Sequence, residues 1–200
     1  MKAKYLLAGS GVALGLAGIL MILALRLPAL SQARPMPDVY YDVPPFTFTD
    51  SNGQTFTRDH LKSKVWVIDF IFTTCPGPCP ILSGQMSRLH QTFRGDERVH
   101  FVSVSVDPEH DTPEVMKAYA ENLGANTSLW HFLTGPHADV DALTAGLKLG
   151  SGGQPAMHDT HFVLVDGRGR VRGYYQGTDR ADVDELAADL RLLLKEEEGE

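Results

Sequence analysis

The order of apolar patterns predicts an α/β fold with a mixed sheet covered on both faces, carried behind one apolar N-terminal span. Three observations predict it. Residues 64–73 and 99–106 are near-continuous apolar runs, the pattern of strands buried on both faces of a sheet. Stretches with apolar residues at helical spacing follow them. Finally, Asp166-Gly167-Arg168-Gly169 separates two short strands as a hairpin turn, which makes the sheet mixed rather than all parallel.

Residues 5–25 are uncharged and mostly apolar, and ~20 residues at helical rise span a bilayer core. Lys2 and Lys4 precede the run, which favours an N-terminus in the cytoplasm and a domain on the far side. A cleaved signal peptide is the alternative, with Ser31-Gln32-Ala33 as a small-residue cleavage site. Apolar regions of signal peptides usually run only ~7–15 residues, so the run reads as a retained transmembrane helix. Residues 1–27 are thus expected to be an anchor, and the proline-rich residues 28–41 a linker. A domain is expected over 42–200.

Within that domain, Phe46 to Thr49 alternates, Asp50-Ser51-Asn52-Gly53 signals a turn, and 54–57 return as a second strand, a small N-terminal β-hairpin. One helical turn is expected over 59–63. The buried run 64–73 leads straight into Thr73-Thr74-Cys75-Pro76-Gly77-Pro78-Cys79-Pro80. Pro80 suits the first turn of a helix, which continues through Leu82, Met86 and Leu89 toward Gly95. A second buried strand, 99–106, ends at Asp107-Pro108. Thr112-Pro113-Glu114 opens a helix closed by Gly124, with Asp107 and Asp111 shaping the segment before it. A strand at 130–134, a helix at 138–149, a Gly-rich loop at 151–156, strands at 161–165 and 171–175, and a helix at 181–195 complete the order. Glu196, Glu197, Glu198 and Glu200 read as a solvated acidic tail. No internal repeat is present.

At 43% hydrophobic and 22% charged, the 200 residues have the composition of an ordinary globular domain. The net charge is −7; removing the three positive charges of Lys2, Lys4 and Arg26 leaves −10 on residues 28–200. That balance excludes a nucleic-acid partner, which needs basic surface to displace counterions.

The chain has only two cysteines, four positions apart. A disulfide framework or a zinc ribbon needs more. A loop from a buried strand to a helix puts both sulfurs at the carboxyl edge of the sheet, where open α/β sheets place their ligand sites. Cys79 falls just before the helix, where the backbone dipole favours a thiolate, the form that attacks disulfides and binds soft metals. Two thiolates fall short of the four ligands of structural zinc. Copper(I) accepts low coordination and favours sulfur with imidazole, so one histidine would complete a three-coordinate site. Of eight histidines, His158 and His161 stand out, between the Gly-rich loop and the strand before the hairpin.

Cys75 to Pro80 after a strand ending in Phe-x-Thr, Asp107-Pro108-Glu109-His110-Asp111-Thr112, and a histidine upstream of the final hairpin occur here in order. With these three segments the region from about Asp42 to Leu194 resembles the SCO/SenC family of exported, membrane-anchored copper-binding proteins. The resemblance implies a thioredoxin-like three-layer α/β/α fold. It also implies Cys75, Cys79 and His158 as copper ligands, where counting back from Gly169 selects His158 over His161. Asp159 stands where the family often has Ser, Thr or Gln. The implied role is in building the dinuclear copper site of cytochrome c oxidase, with that enzyme's copper-bearing subunit as partner. The implied location is a bacterial inner membrane, with the domain on the periplasmic side.

Two function classes remain open at this level. One is a copper metallochaperone. The other is an enzyme, a thiol-disulfide oxidoreductase using Cys75 and Cys79 as its redox-active pair. A peroxide-reducing thiol enzyme has no arginine near the loop to support it. A purely structural disulfide across so short a loop adds little stability.

Overall fold

The computed structural model describes residues 34–150 and 159–198. The chain divides into two compact units, Met1–Pro35 and Met36–Glu200. The apolar span at 5–25, the Gly-rich stretch at 151–156 and His158 lie outside the described residues. Among the described residues, no helix is long and apolar enough to cross a membrane.

The strands are β1 (Thr47–Asp50), β2 (Thr55–Thr57), β3 (Val65–Ile71), β4 (Val99–Ser105), β5 (Trp130–Thr134), β6 (His161–Val165) and β7 (Val171–Gln176). The helices are α1 (Cys79–Phe93), α2 (Pro113–Asn122), α3 (His137–Gly146) and α4 (Arg180–Glu198), with a short 3-10 turn at Arg58–Leu61. One sheet runs in the order β2-β1-β5-β4-β3-β6-β7. The central three strands are parallel, with Ile71 opposite Ser105 and Phe101 opposite Trp130. β1 and β2 form the expected hairpin, and β6 and β7 add antiparallel strands beyond β3, so the sheet is mixed.

Strand alternation divides the core into two halves. Val65, Val67 and Ile71 pack with Leu82, Met86 and Leu89 of α1, Met116 of α2, and Leu186 and Leu190 of α4. Trp66, Ile68 and Phe70 face the other way, against Phe48, Phe56, and Val140 and Leu143 of α3. Every residue of β3 is buried, as its unbroken apolar run requires of a central strand. The result is the three-layer α/β/α arrangement that the sequence predicts.

Helix starts follow local chemistry. Thr112 caps α2 by accepting from Val115 N–H, and Pro113 takes the first helical position, where its missing amide costs nothing. α3 stops at Gly146, short of the predicted 149, because Lys148 adopts a left-handed φ of 54° that no helix continues through.

The acidic tail read as solvated in the sequence is instead held through Glu198. α4 continues to Glu198, and its acidic end is paired: Glu196 with Arg172, Glu198 with Arg98, and Glu197 with the Gly167 amide. The linker's last residues also pack on the domain. Tyr40 N–H donates to Val171 O, Val43 N–H to Gly169 O, and the Arg172 guanidinium donates to Pro37 O at 2.8 Å. Arg172 is almost wholly buried and also meets Asp166 at 3.0 Å. Its partners lie far apart in sequence, so the pairing of Glu196 cannot be read from the tail's own residues.

Candidate metal centre

The ends of β3 and α1 create the site. After Ile71 the chain turns, with Cys75 N–H donating to Phe72 O at 3.3 Å. The Pro78 carbonyl then accepts from both Ile81 and Leu82 amides at 3.0 Å and starts α1 at Cys79. Both cysteines are free; Cys75 is half-buried and Cys79 is buried. Cys79 packs in the same core half as Leu82 and Ile71, with Cys75 against its edge.

The two sulfurs share a hydrogen bond, and their environments push the thiols apart. Burial alone would raise Cys75, but the Cys79 thiol and the backbone amides of Cys79 and Gly77 point hydrogen bonds at its sulfur. Together they hold it below the ordinary cysteine value. Burial pushes Cys79 up to about 12, helped by its bond to Cys75 and by the charges of Cys75 and Asp69, against the Phe72 amide. This reverses the expectation for Cys79. That residue is the first of the helix rather than a group in front of it, and its burial outweighs the dipole. Cys75 is the more accessible and more acidic thiol, and Cys79 the less acidic one behind it.

Beneath the pair lies Asp69, on the same face of β3 as Val67 and Ile71, with no exposed surface. Neither oxygen makes a well-formed hydrogen bond, and burial pushes its carboxyl up to about 7 against a partial pull from Ser103, its neighbour on β4. The sequence reading passed over Asp69, although one acid inside Val-Trp-Val-Ile-Asp-Phe-Ile-Phe was a visible signal. Asp111 is equally buried but fully engaged. It accepts from the Thr73 amide, the Thr73 hydroxyl and the Ser105 hydroxyl.

The β3–β6 register sets Ile68 opposite Val163, so the chain entering β6 arrives at the edge where the cysteine loop leaves. Gly177 fits there because any Cβ would meet Leu82 of α1, Thr160 O and Phe162 at 2.5–3.0 Å. His158 lies just outside the described residues, and its place at the site is not part of the described structure. Asp159 is described: its carboxylate accepts from Gly150 N–H at 3.1 Å and His161 N–H at 2.8 Å. His161 is bonded to Asp159 at 3.0 Å and begins a strand whose alternation puts it with Val163 and Val165, on the face opposite Cys79. Four other histidines are engaged elsewhere. His100 and His131 bond to each other at 3.0 Å, His90 packs edge-on to Phe101, and His110 bonds Asp107. Among the described residues, no three His, Cys, Asp or Glu side chains converge on one point.

The sequence profile of the SCO1/SenC family matches residues 37–195. The chain belongs to the SCO1/SenC family. The SCO1 protein homolog of Bacillus subtilis is 32% identical over 158 residues, covering 76% of this chain and 82% of that protein. Two solved Sco structures superpose closely. BsSco, described as a member of the Sco family of cytochrome c oxidase assembly proteins with a disulfide switch, has a TM-score of 0.69 at 30% identity. The match covers 82% of this chain and 98% of BsSco. ScoI of Bradyrhizobium japonicum, solved with copper bound, has a TM-score of 0.63 at 29% identity, covering 76% of this chain and 99% of ScoI. The mixed sheet with its four helices is therefore the thioredoxin-like fold of the Sco proteins.

Proposed function

We propose that this chain is a copper metallochaperone held at the membrane by residues 5–25, with its domain outside the cytoplasm. Copper is its cargo, bound through Cys75, Cys79 and His158. Its partner is the copper-bearing subunit of cytochrome c oxidase. The observation that carries the reading is the paired sulfurs of Cys75 and Cys79 at the carboxyl edge of the central strand. Two soft donors brought together suit copper(I), which needs only one added imidazole. The copper-bound ScoI structure and the oxidase-assembly role of the Sco family support the cargo and the partner.

Copper titration of the reduced full-length protein tests the site. One equivalent should bind tightly. Cys75→Ser and Cys79→Ser should each abolish tight binding, and His158→Ala, which removes a ligand, should weaken it by more than the ~10–100-fold that loss of an outer-shell partner costs. Unchanged affinity in His158→Ala would end the three-ligand reading. Protease protection in native membranes and the mass of the mature chain test the anchor. Loss of about the first 33 residues would sink it.

The split thiol acidities favour a second use of the same sulfurs, reduction of a partner's disulfide. The Cys75 thiolate attacks one partner sulfur, forming a mixed disulfide and releasing the other as thiolate. Cys79 then gives up its proton and attacks Cys75. The partner sulfur first attacked then leaves and takes a proton; the partner is now a dithiol carrying two added electrons, and Cys75–Cys79 is the disulfide left oxidised by their loss. Cys79→Ser should trap the mixed disulfide, visible as a covalent adduct under non-reducing electrophoresis.

A further inference from the structure

We infer that Asp111 is a positioning residue for the cysteine pair, acting through Thr73 and the Phe72 peptide. The inference rests on the reading of Cys75 and Cys79 as the working site. β3 and β4 leave the sheet side by side, and their ladder ends with Val106 N–H on Ile71 O at 2.9 Å. Beyond that point no strand pairing holds the cysteine loop. Asp111 bridges the gap. Its carboxylate takes the Thr73 amide at 3.1 Å and the Thr73 hydroxyl at 2.5 Å from the β3 side, and the Ser105 hydroxyl at 2.6 Å from the β4 side.

The clamped Thr73 amide shares its peptide unit with the Phe72 carbonyl, and the unit before it carries the Phe72 amide. The Phe72 carbonyl accepts from Cys75 N–H, and the Phe72 amide hydrogen-bonds the Cys79 sulfur. A clamp on Thr73 therefore fixes the plane of the unit that receives the Cys75 amide and, through the Phe72 Cα, the unit whose N–H meets the Cys79 sulfur.

A simpler role would be helix capping, but Thr112 already caps α2, accepting from Val115 N–H with its own hydroxyl. Among the described residues Asp111 is in no ion pair, yet it has no exposed surface. A carboxylate buried among neutral donors is costly unless each lone pair is used, and here the donors come from the cysteine loop and β4. A helix end alone does not call for that arrangement.

The test is the dithiol–disulfide equilibrium of the full-length, metal-free protein against glutathione, read by alkylation and mass, with thermal unfolding alongside. The described structure is the dithiol form, so loosening the clamp should favour the disulfide. Asp111→Asn turns an acceptor into a donor facing the Thr73 amide, and Thr73→Val removes the hydroxyl donor alone. Each should move the equilibrium toward disulfide by at least tenfold, about 30 mV for a two-electron couple. The double variant should move it no further than the larger single effect, since both break one connection. Ser105→Ala, which leaves the Thr73 side of the clamp intact, should lower the melting temperature while moving the equilibrium less than threefold.

If Asp111→Asn fails to fold, Thr73→Val alone decides, because it leaves the carboxylate and its other donors in place. An equilibrium within threefold of the wild type in Thr73→Val overturns the positioning role. That outcome is distinct from failure of the copper reading, which shows as no copper uptake by the wild-type protein.

Discussion

The difference between Cys75 and Cys79 comes from their burial. Both belong to one loop of five residues, yet one sulfur receives amide hydrogen bonds near the surface and the other is sealed behind it. Cys75 should therefore be alkylated first by iodoacetamide at pH 7.5 in the reduced, metal-free protein, with Cys79 at least tenfold slower. Peptide mass mapping of a time course reads this directly; equal rates would show that the first turn of α1 opens in solution. The same burial explains why the sequence suggested the reverse assignment. Position before a helix can be read from Pro80, but burial of Cys79 depends on Leu82 and Ile71 closing over it from different elements. Arg172 makes a second prediction at this scale. It is buried against Asp166 and Glu196 and carries the carbonyls of Pro37 and Asp38. Arg172→Met takes one cation from the buried Asp166 while Arg170 stays beside it, so the loss should fall below the ~3–5 kcal/mol typical of leaving a buried charge unpaired. Denaturant unfolding should show that loss, with faster proteolysis around residues 37–43; unchanged stability would mean that the charge is not needed there.

At the scale of elements, the close approach at Gly177 links β7 to the first turn of α1. Gly177→Ala places a methyl against Leu82, the Thr160 carbonyl and Phe162, and forced overpacking typically costs ~1–3 kcal/mol. Because Leu82 lies three residues from Cys79, the strain should appear at the site as well as in stability. Expected outcomes are a lower unfolding midpoint and faster Cys79 alkylation; a lower midpoint with unchanged Cys79 reactivity would separate the two. This coupling was not legible in the sequence, where Gly177 reads as one more turn residue. Much else was. The all-apolar β3 announced a central strand, Thr112-Pro113 announced a helix start, and Asp50 to Gly53 announced the first hairpin, since each signal is local. The errors have two causes. The end of α3 depended on the left-handed Lys148, and the glutamates of α4 on Arg172 and Arg98. The first is a backbone conformation that no residue type announces, and the second a set of contacts between segments far apart in sequence. Of the site, the cysteines and the Asp111 segment could be read from the chain, whereas Asp69 was hidden inside a strand whose apolar character set its reading.

For the whole molecule, two buried groups on different parts of the sheet make stability depend on pH in opposite senses. Burial, with the nearby His100, lowers His131 to about 4, and His90 and His100 are lowered also. An unfolded histidine binds its proton near pH 6.5, so from pH 6.5 down to about 4 the unfolded chain holds more protons and stability falls with acid. Asp69 works the other way. Its carboxyl is raised from 3.8 to about 7, so between those values the folded chain holds the extra proton and stability falls as pH rises. From pH 4.5 to 6.5 the two trends oppose each other in the wild-type protein. Asp69→Asn removes one of them, so its stability should rise with pH across that window more steeply than the wild type's. His131→Gln removes part of the other and should tilt the profile downward. The salt-bridged Asp96, Asp166 and Asp184 are lowered, so their contribution is lost only below about pH 4 and leaves the window untouched. Urea midpoints at pH 4.5, 5.5 and 6.5, on reduced and metal-free protein with the slope of unfolding held in view, measure all three profiles. A wild-type profile indistinguishable from that of Asp69→Asn would mean that Asp69 keeps its charge at low pH. The acid beneath the cysteines would then be a paired structural group rather than an uncompensated one.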